Sequence, residues 1–87
     1  MISEKVILEN ETGLHARPAS ELAKIAMKYT SDIQLKVKDS IYNAKSILNI
    51  MSAGIKSKTE IEIICNGEDE KEALNEIING FKNNFGE

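Results

Sequence analysis

The stretch Glu60-Ile-Glu-Ile-Ile-Cys-Asn-Gly-Glu-Asp-Glu-Lys-Glu-Ala-Leu-Asn-Glu-Ile-Ile-Asn-Gly-Phe81 changes its hydrophobic period partway along, and that change decides the fold class. Over residues 60–66 apolar and polar residues alternate, so that Ile61, Ile63 and Cys65 share one face, as in a strand with one buried side. Asn66-Gly67 follows as a turn. Asp69, with Glu72 three residues on, reads as a capping-box start. Ala73, Leu74, Ile77, Ile78 and Phe81 then recur at helical spacing. Gly80 lies inside that helix and weakens its end by about 1 kcal/mol relative to Ala. A period-two segment running straight into an amphipathic helix calls for a sheet with helices packed on it.

Working outward, residues 4–8 alternate, with Glu4, Val6 and Leu8 opposite Lys5 and Ile7, and predict a first strand that Glu11-Thr-Gly13 breaks. Ala19, Leu22, Ala23 and Ala26 then stand at i, i+3, i+4 and i+7, the apolar stripe of a helix running from Ala16 to near Lys28. Pro18, the only proline, suits the first turn, where its missing N–H is no loss, so the helix begins almost at His15. Residues 32–37 alternate again, with Ile33, Leu35 and Val37 inward, and Lys38-Asp39 turns into a short strand at 40–44. Ser46 reads as the N-cap of a short helix over 47–51, stopped by Ser52-Ala53-Gly54. The order is βαββαβα. Strands with a single apolar face imply a mostly antiparallel sheet, helices on one side and water on the other, an α+β open-faced sandwich. Periodicity leaves the order of the strands open.

The chain has 87 residues, enough for one domain over 1–87 and one modest core. Trp is absent and only two Phe and two Tyr occur, so no aromatic platform for nucleic-acid bases is evident. A net charge of −3 argues against non-specific binding to nucleic acid or anionic membranes. Cys65 stands alone and cannot form an intramolecular disulfide, which fits a reducing cytosol. Met1-Ile-Ser-Glu-Lys-Val6 carries no signal-peptide-like apolar segment, and no span approaches membrane length. The expectation is a cytoplasmic protein without membrane insertion.

The chemistry concentrates in Thr12-Gly-Leu-His-Ala-Arg-Pro-Ala-Ser20. His15, the only histidine, precedes a helix N-terminus whose first backbone N–H groups have no intrahelical partner. The positive end of a helix favours anions, and a neutral imidazole there has a lone pair free to attack phosphorus. Once phosphorylated, the ring would present oxygens to the N–H groups of Ala16 and Arg17. Arg17 adds a permanently charged donor fork suited to phosphate. No second histidine accompanies His15 and the one cysteine is distant, so neither a metal nor any cofactor is expected. Nothing nearby nominates a hydrolytic triad.

The run Gly13-Leu-His-Ala-Arg-Pro-Ala19 resembles the active-site signature of HPr, the histidine-containing phosphocarrier of the bacterial sugar phosphotransferase system. Asn43-Ala-Lys-Ser-Ile-Leu-Asn-Ile-Met-Ser-Ala-Gly54 resembles the regulatory-serine region of the same family, so the likeness extends over essentially the whole chain. It implies a four-stranded antiparallel sheet in order 1-4-2-3 with three helices on one face. It also implies that enzyme I phosphorylates the δ (pros) nitrogen of His15, that Arg17 helps hold the phosphoryl, and that the group passes to IIA domains of sugar permeases. The protein would then be a stoichiometric carrier, not an enzyme, and a monomer.

Ser46 has a physical case of its own, since a helix N-cap favours an added phosphate. The Lys-Ser-Ile context resembles Gram-positive members, in which an ATP-dependent HPr kinase/phosphorylase modifies this serine and a catabolite control regulator reads it. Arg17, Lys24 and Lys28, spaced by seven and four, share one flank of the first helix. Ile47, Leu48 and Met51 are more apolar residues than so short a helix can bury. With Thr12, Ala16 and Ser20 they outline the expected partner surface beside His15, which phosphate on Ser46 would make negative and less able to dock. Two departures stand out: Lys38-Asp39 where many relatives carry Asn-Gly, and Leu48-Asn49 in place of Met-Gly. The rival readings are the nitrogen-related paralogue of the same family and, from another class, a non-catalytic small α+β binding module. The catabolite-repression paralogue that lacks the histidine is excluded by His15.

Overall fold

Period-two patterning becomes four strands among residues 1–86, which the computed structural model describes: β1 (Ile2–Ile7), β2 (Asp32–Val37), β3 (Ser40–Asn43) and β4 (Glu60–Asn66). Between and after them come the helices α1 (Ala16–Met27), α2 (Ile47–Ser52) and α3 (Glu70–Lys82), with a closing 3-10 turn over Asn84–Gly86. The sheet is antiparallel throughout, in the order β1-β4-β2-β3, so the last strand of the sequence fills a central position. Both the α+β class and the strand order match the expectation.

Alternation decides which face is covered. In β4, Ile61, Ile63 and Cys65 are fully buried, and across the ladder Ile33 meets Cys65 and Leu35 meets Ile63. Onto this face pack Ala19, Leu22, Ala23 and Ala26 of α1, Ile50 of α2, and Ala73, Leu74, Ile77, Ile78 and Phe81 of α3. Each buried Leu, Ile or Phe contributes about 1.5–3 kcal/mol of transfer free energy. The other face is wet and charged: Lys5 and Lys36 flank Glu62 in register, and the Ser3 hydroxyl donates to Glu62 Oε2 at 3.0 Å.

Some boundaries move. β1 occupies Ile2–Ile7 instead of 4–8, because the ladder to β4 already begins at the Ile2–Cys65 pair. Leu8 lies past the strand yet is buried, its N–H bonded to the Thr59 carbonyl (3.0 Å) and its carbonyl accepting from Lys58 N–H (2.7 Å). The strand read over 40–44 ends at Asn43, and α2 extends one residue further, to Ser52.

The capping box at Asp69 and Glu72 does not form. The Asp69 side chain makes no cap bond to α3; it accepts from the N–H groups of Thr30 (2.9 Å) and Ser31 (3.0 Å) and from the Ser31 hydroxyl. Glu70 takes the reach-back role, accepting from Gly67 N–H at 3.1 Å. The reason is proximity: buried Ser31 lies so close to Gly67 that a Cβ there would fall within 3 Å of it. Asp69 therefore meets the backbone donors between α1 and β2. Bonding to the Ser31 hydroxyl and the Thr30 N–H pulls its carboxyl down to about 2.

Gly80 also has a packing reason. The Phe85 ring lies directly over it, edge-on to Phe81 with ring centroids 4.9 Å apart at 72°.

Candidate functional site

Gly13, at φ +77°, donates its N–H to the Asn10 carbonyl (3.0 Å), and Leu14 donates to the Ile55 carbonyl (2.9 Å) while burying its side chain. His15 follows as the N-cap of α1, with an extended backbone (φ −86°, ψ −166°) and an exposed side chain. Its carbonyl accepts from Ala19 N–H at 2.9 Å and opens the helix. Ala16 and Arg17 are exposed, whereas Pro18 and Ala19 turn into the core. The result is an imidazole at a helix start whose first turn holds Arg17 and no acidic side chain. The backbone N–H groups of that turn precede the i→i−4 ladder, so a dianion on the ring would meet donors and one guanidinium.

The remaining site residues divide. Thr12 is exposed, its hydroxyl and its N–H both directed to Asn10 Oδ1 (3.1 and 3.3 Å). Ser20 is half-buried, and Lys24 is exposed with a loose pairing to Glu21 at 3.4 Å. Lys28, read as part of the same basic flank, instead pairs with Glu76 of α3. The Tyr29 hydroxyl donates to the same carboxylate, and this bond, burial and the adjacent negative charge push the phenol up to about 12. The basic flank is thus shorter than its spacing suggested, because α3 supplies an acid that sequence distance conceals.

Ser46 is the N-cap of α2, its Oγ accepting from Asn49 N–H at 3.1 Å. Only Ile50 of this helix is buried; Ile47, Leu48 and Met51 are 41, 81 and 43 % exposed, as the excess of apolar residues required. α2 packs against α1, the helix that carries His15 at its start. Among the described residues, concavities of about 420 and 480 Å³ are lined by the β2–β3 side and by β1 with Phe81, not by the Thr12–Ser20 segment. Among the described residues, no group of three or more His, Cys, Asp or Glu is placed to hold a metal ion, and no helix is long and apolar enough to cross a membrane.

Two contributors carry no direct signal in the sequence: the Ile55 carbonyl, which fixes the residue before His15, and Asn49, whose side chain braces the Ser46 turn. A backbone carbonyl leaves no mark in a sequence, although Gly13 was an indirect signal of close approach. Asn49 was visible only as a departure from the Gram-positive pattern.

Residues 2–83 match the family model described as PTS HPr component phosphorylation site. The chain is 42% identical over 77 residues to the HPr-like protein Crh of Bacillus subtilis (strain 168), covering 88% of this chain and 91% of Crh. A crystal structure of Crh described as a swapped dimer superposes with a TM-score of 0.76 at 39% identity, covering 94% of each chain. HPr-C-His from Thermoanaerobacter tengcongensis superposes with a TM-score of 0.96 at 36% identity, over 100% of this chain and 98% of the other. The histidine-containing phosphocarrier protein of Mycoplasma gives 0.88 at 38% identity, over 97% and 94%.

Proposed function

The chain belongs to the HPr family of the phosphotransferase system, and from that premise we propose that it accepts a phosphoryl group on His15 from phosphorylated enzyme I and donates it to IIA domains of sugar permeases. The lone pair of the neutral imidazole Nδ1 attacks phosphorus, the new P–N bond forming as the bond to the donor breaks. The phosphoryl oxygens are received by Arg17 and by the N–H groups of Ala16 and Arg17. A IIA nucleophile then takes the group and returns the ring to its neutral state. The protein is regenerated at each cycle and acts stoichiometrically in the cytoplasm.

The observation that carries this reading is His15 itself, exposed as the cap of a helix whose first turn offers donors and no acid. Ser46 supports the sugar-uptake branch over the nitrogen-related one, with an ATP-dependent HPr kinase/phosphorylase as its modifying partner and a catabolite control regulator as its reader. The docking surface is Thr12, Ala16, Arg17, Ser20 and Lys24 of the His15 side with Ile47, Leu48 and Met51 of α2. The working form is a monomer; sedimentation at micromolar concentration checks this, and a swapped dimer like that described for Crh would replace it.

The test is incubation with phosphoenolpyruvate and enzyme I, then with ATP and the serine kinase, followed by intact mass. An acid-labile phosphoryl that disappears in His15→Ala supports the first site, and an acid-stable one that disappears in Ser46→Ala the second. No gain of mass with enzyme I refutes the carrier reading. Lys24→Glu with Met51→Glu should slow enzyme I turnover at least tenfold, and unchanged kinetics would remove the docking surface.

A further inference from the structure

The segment from β3 into α2 closes a circuit of hydrogen bonds around Ser46. Asn43 ends the edge strand β3, which pairs with β2 on one side only. Beside it, Ala44 N–H bonds to the Ile33 carbonyl of β2, so the alternation of an antiparallel ladder turns the polar groups of Asn43 away from the sheet. Both are taken up by the entry to α2. The Asn43 carbonyl accepts from Ser46 N–H at 3.1 Å, and Asn43 N–H donates to the side-chain oxygen Oδ1 of Asn49 at 2.6 Å. The donor is a backbone N–H, so the end of the Asn49 amide facing it must be the oxygen.

Asn49 also gives its own N–H to Ser46 Oγ at 3.1 Å, and Asn43 Oδ1 accepts from Lys45 N–H at 2.9 Å. Lys45 then sends its ammonium to the Tyr29 carbonyl at 2.8 Å, beyond the end of α1. One residue, Asn49, therefore holds Ser46 from two directions: by its backbone on the hydroxyl and by its side chain on the strand that leads into the turn. α2 has six residues, of which only Ile50 is buried, and a helix that short does not keep its first turn ordered on propensity alone.

We propose that Asn49 is a positioning residue for modification of Ser46: it holds the hydroxyl in the orientation that the phosphorylating enzyme must find. This rests on the assignment of Ser46 as an acceptor. A hydroxyl already fixed by the Asn49 clamp enters the enzyme complex without first being ordered. Removing the side-chain half of the clamp keeps the Asn49 N–H on Ser46 Oγ but releases Asn43 and the turn that carries Ser46. The competent orientation is then only fractionally populated, and apparent affinity falls by that fraction while the chemical step is untouched.

The test uses the full chain with ATP and the serine kinase. Asn49→Ala deletes the amide and improves intrinsic helix propensity, so a loss cannot be blamed on a weakened α2. The expected result is a five- to tenfold rise in KM for Ser46 phosphorylation with kcat unchanged, and no change in His15 phosphorylation by enzyme I. In parallel, hydrogen exchange of the Asn43 amide should quicken in Asn49→Ala. It should return toward the parent rate in Asn49→Asp, whose carboxylate can still accept that N–H. Equal KM values for parent and Asn49→Ala, with the parent phosphorylated normally, would overturn the proposal and leave the Ser46 assignment standing. A matching loss at His15 would overturn it in favour of general destabilisation. No phosphorylation of the parent at Ser46 would overturn both.

Discussion

Gly13 stands at φ +77°, and a Cβ built on it would lie 2.7 Å from the Ile55 carbonyl oxygen, the same oxygen that accepts from Leu14 N–H. Both the left-handed backbone and the close approach exclude a side chain. Gly13→Ala should lower stability by about 1–3 kcal/mol in urea titration and, by displacing Leu14, should also slow phosphoryl transfer to His15. Lys38 presents the opposite case, a lysine at φ +57° in the β2–β3 turn. Left-handed backbone costs a long side chain about 1–2 kcal/mol, and Asn tolerates it better. Lys38→Asn should therefore raise stability by about 0.5–1 kcal/mol, read as a higher urea midpoint, with no effect on transfer. The roles proposed for His15 and Arg17 are legible in the sequence because their chemistry lies in their own side chains and one motif holds both. The Ile55 carbonyl could not, because its role depends only on where the chain brings it.

At the scale of elements, period two and period 3.6 mark the three longer strands and the two longer helices, while β3 and α2 are marked by turn, cap and stop residues. The errors fall where a partner from elsewhere intervenes. Asp69 looked like a cap because Glu72 stood three residues on; the loop between α1 and β2 held a stronger claim on it. Its carboxyl titrates at about 2, below the ordinary value of 3.8, so its contribution is present above pH 4 and is lost as pH falls through 2. Asp69→Asn should be less stable at neutral pH and should show a flatter loss between pH 4 and 2, read from urea midpoints across that range. Gly80 looked like a weakness in α3, yet Phe85 lies over it. Gly80→Ala should destabilise by about 1–3 kcal/mol despite alanine's better propensity, because the ring must shift. A double-mutant cycle with Phe85→Ala should reveal a coupling of at least about 0.5 kcal/mol between the two.

For the molecule as a whole, the strand order could be supplied only by resemblance, since alternation says which face of a strand is buried and not which strand lies beside it. That order gives β4 two neighbours and gives β1 only one, β4 itself. A chain stopped after Gly54 would keep His15, Arg17 and Ser46, yet lack both the centre of the sheet and the Ile55 carbonyl. It should show no cooperative thermal transition and should take no phosphoryl from enzyme I. The same arrangement bears on synthesis. β1 and the Leu14–His15 segment leave the ribosome before residues 55–66, which support them, so the earlier segment waits for the later one. An interrupted product lacking residues 55–66 would thus display the proposed acceptor, His15, without the backbone that positions it, and should be inert towards enzyme I.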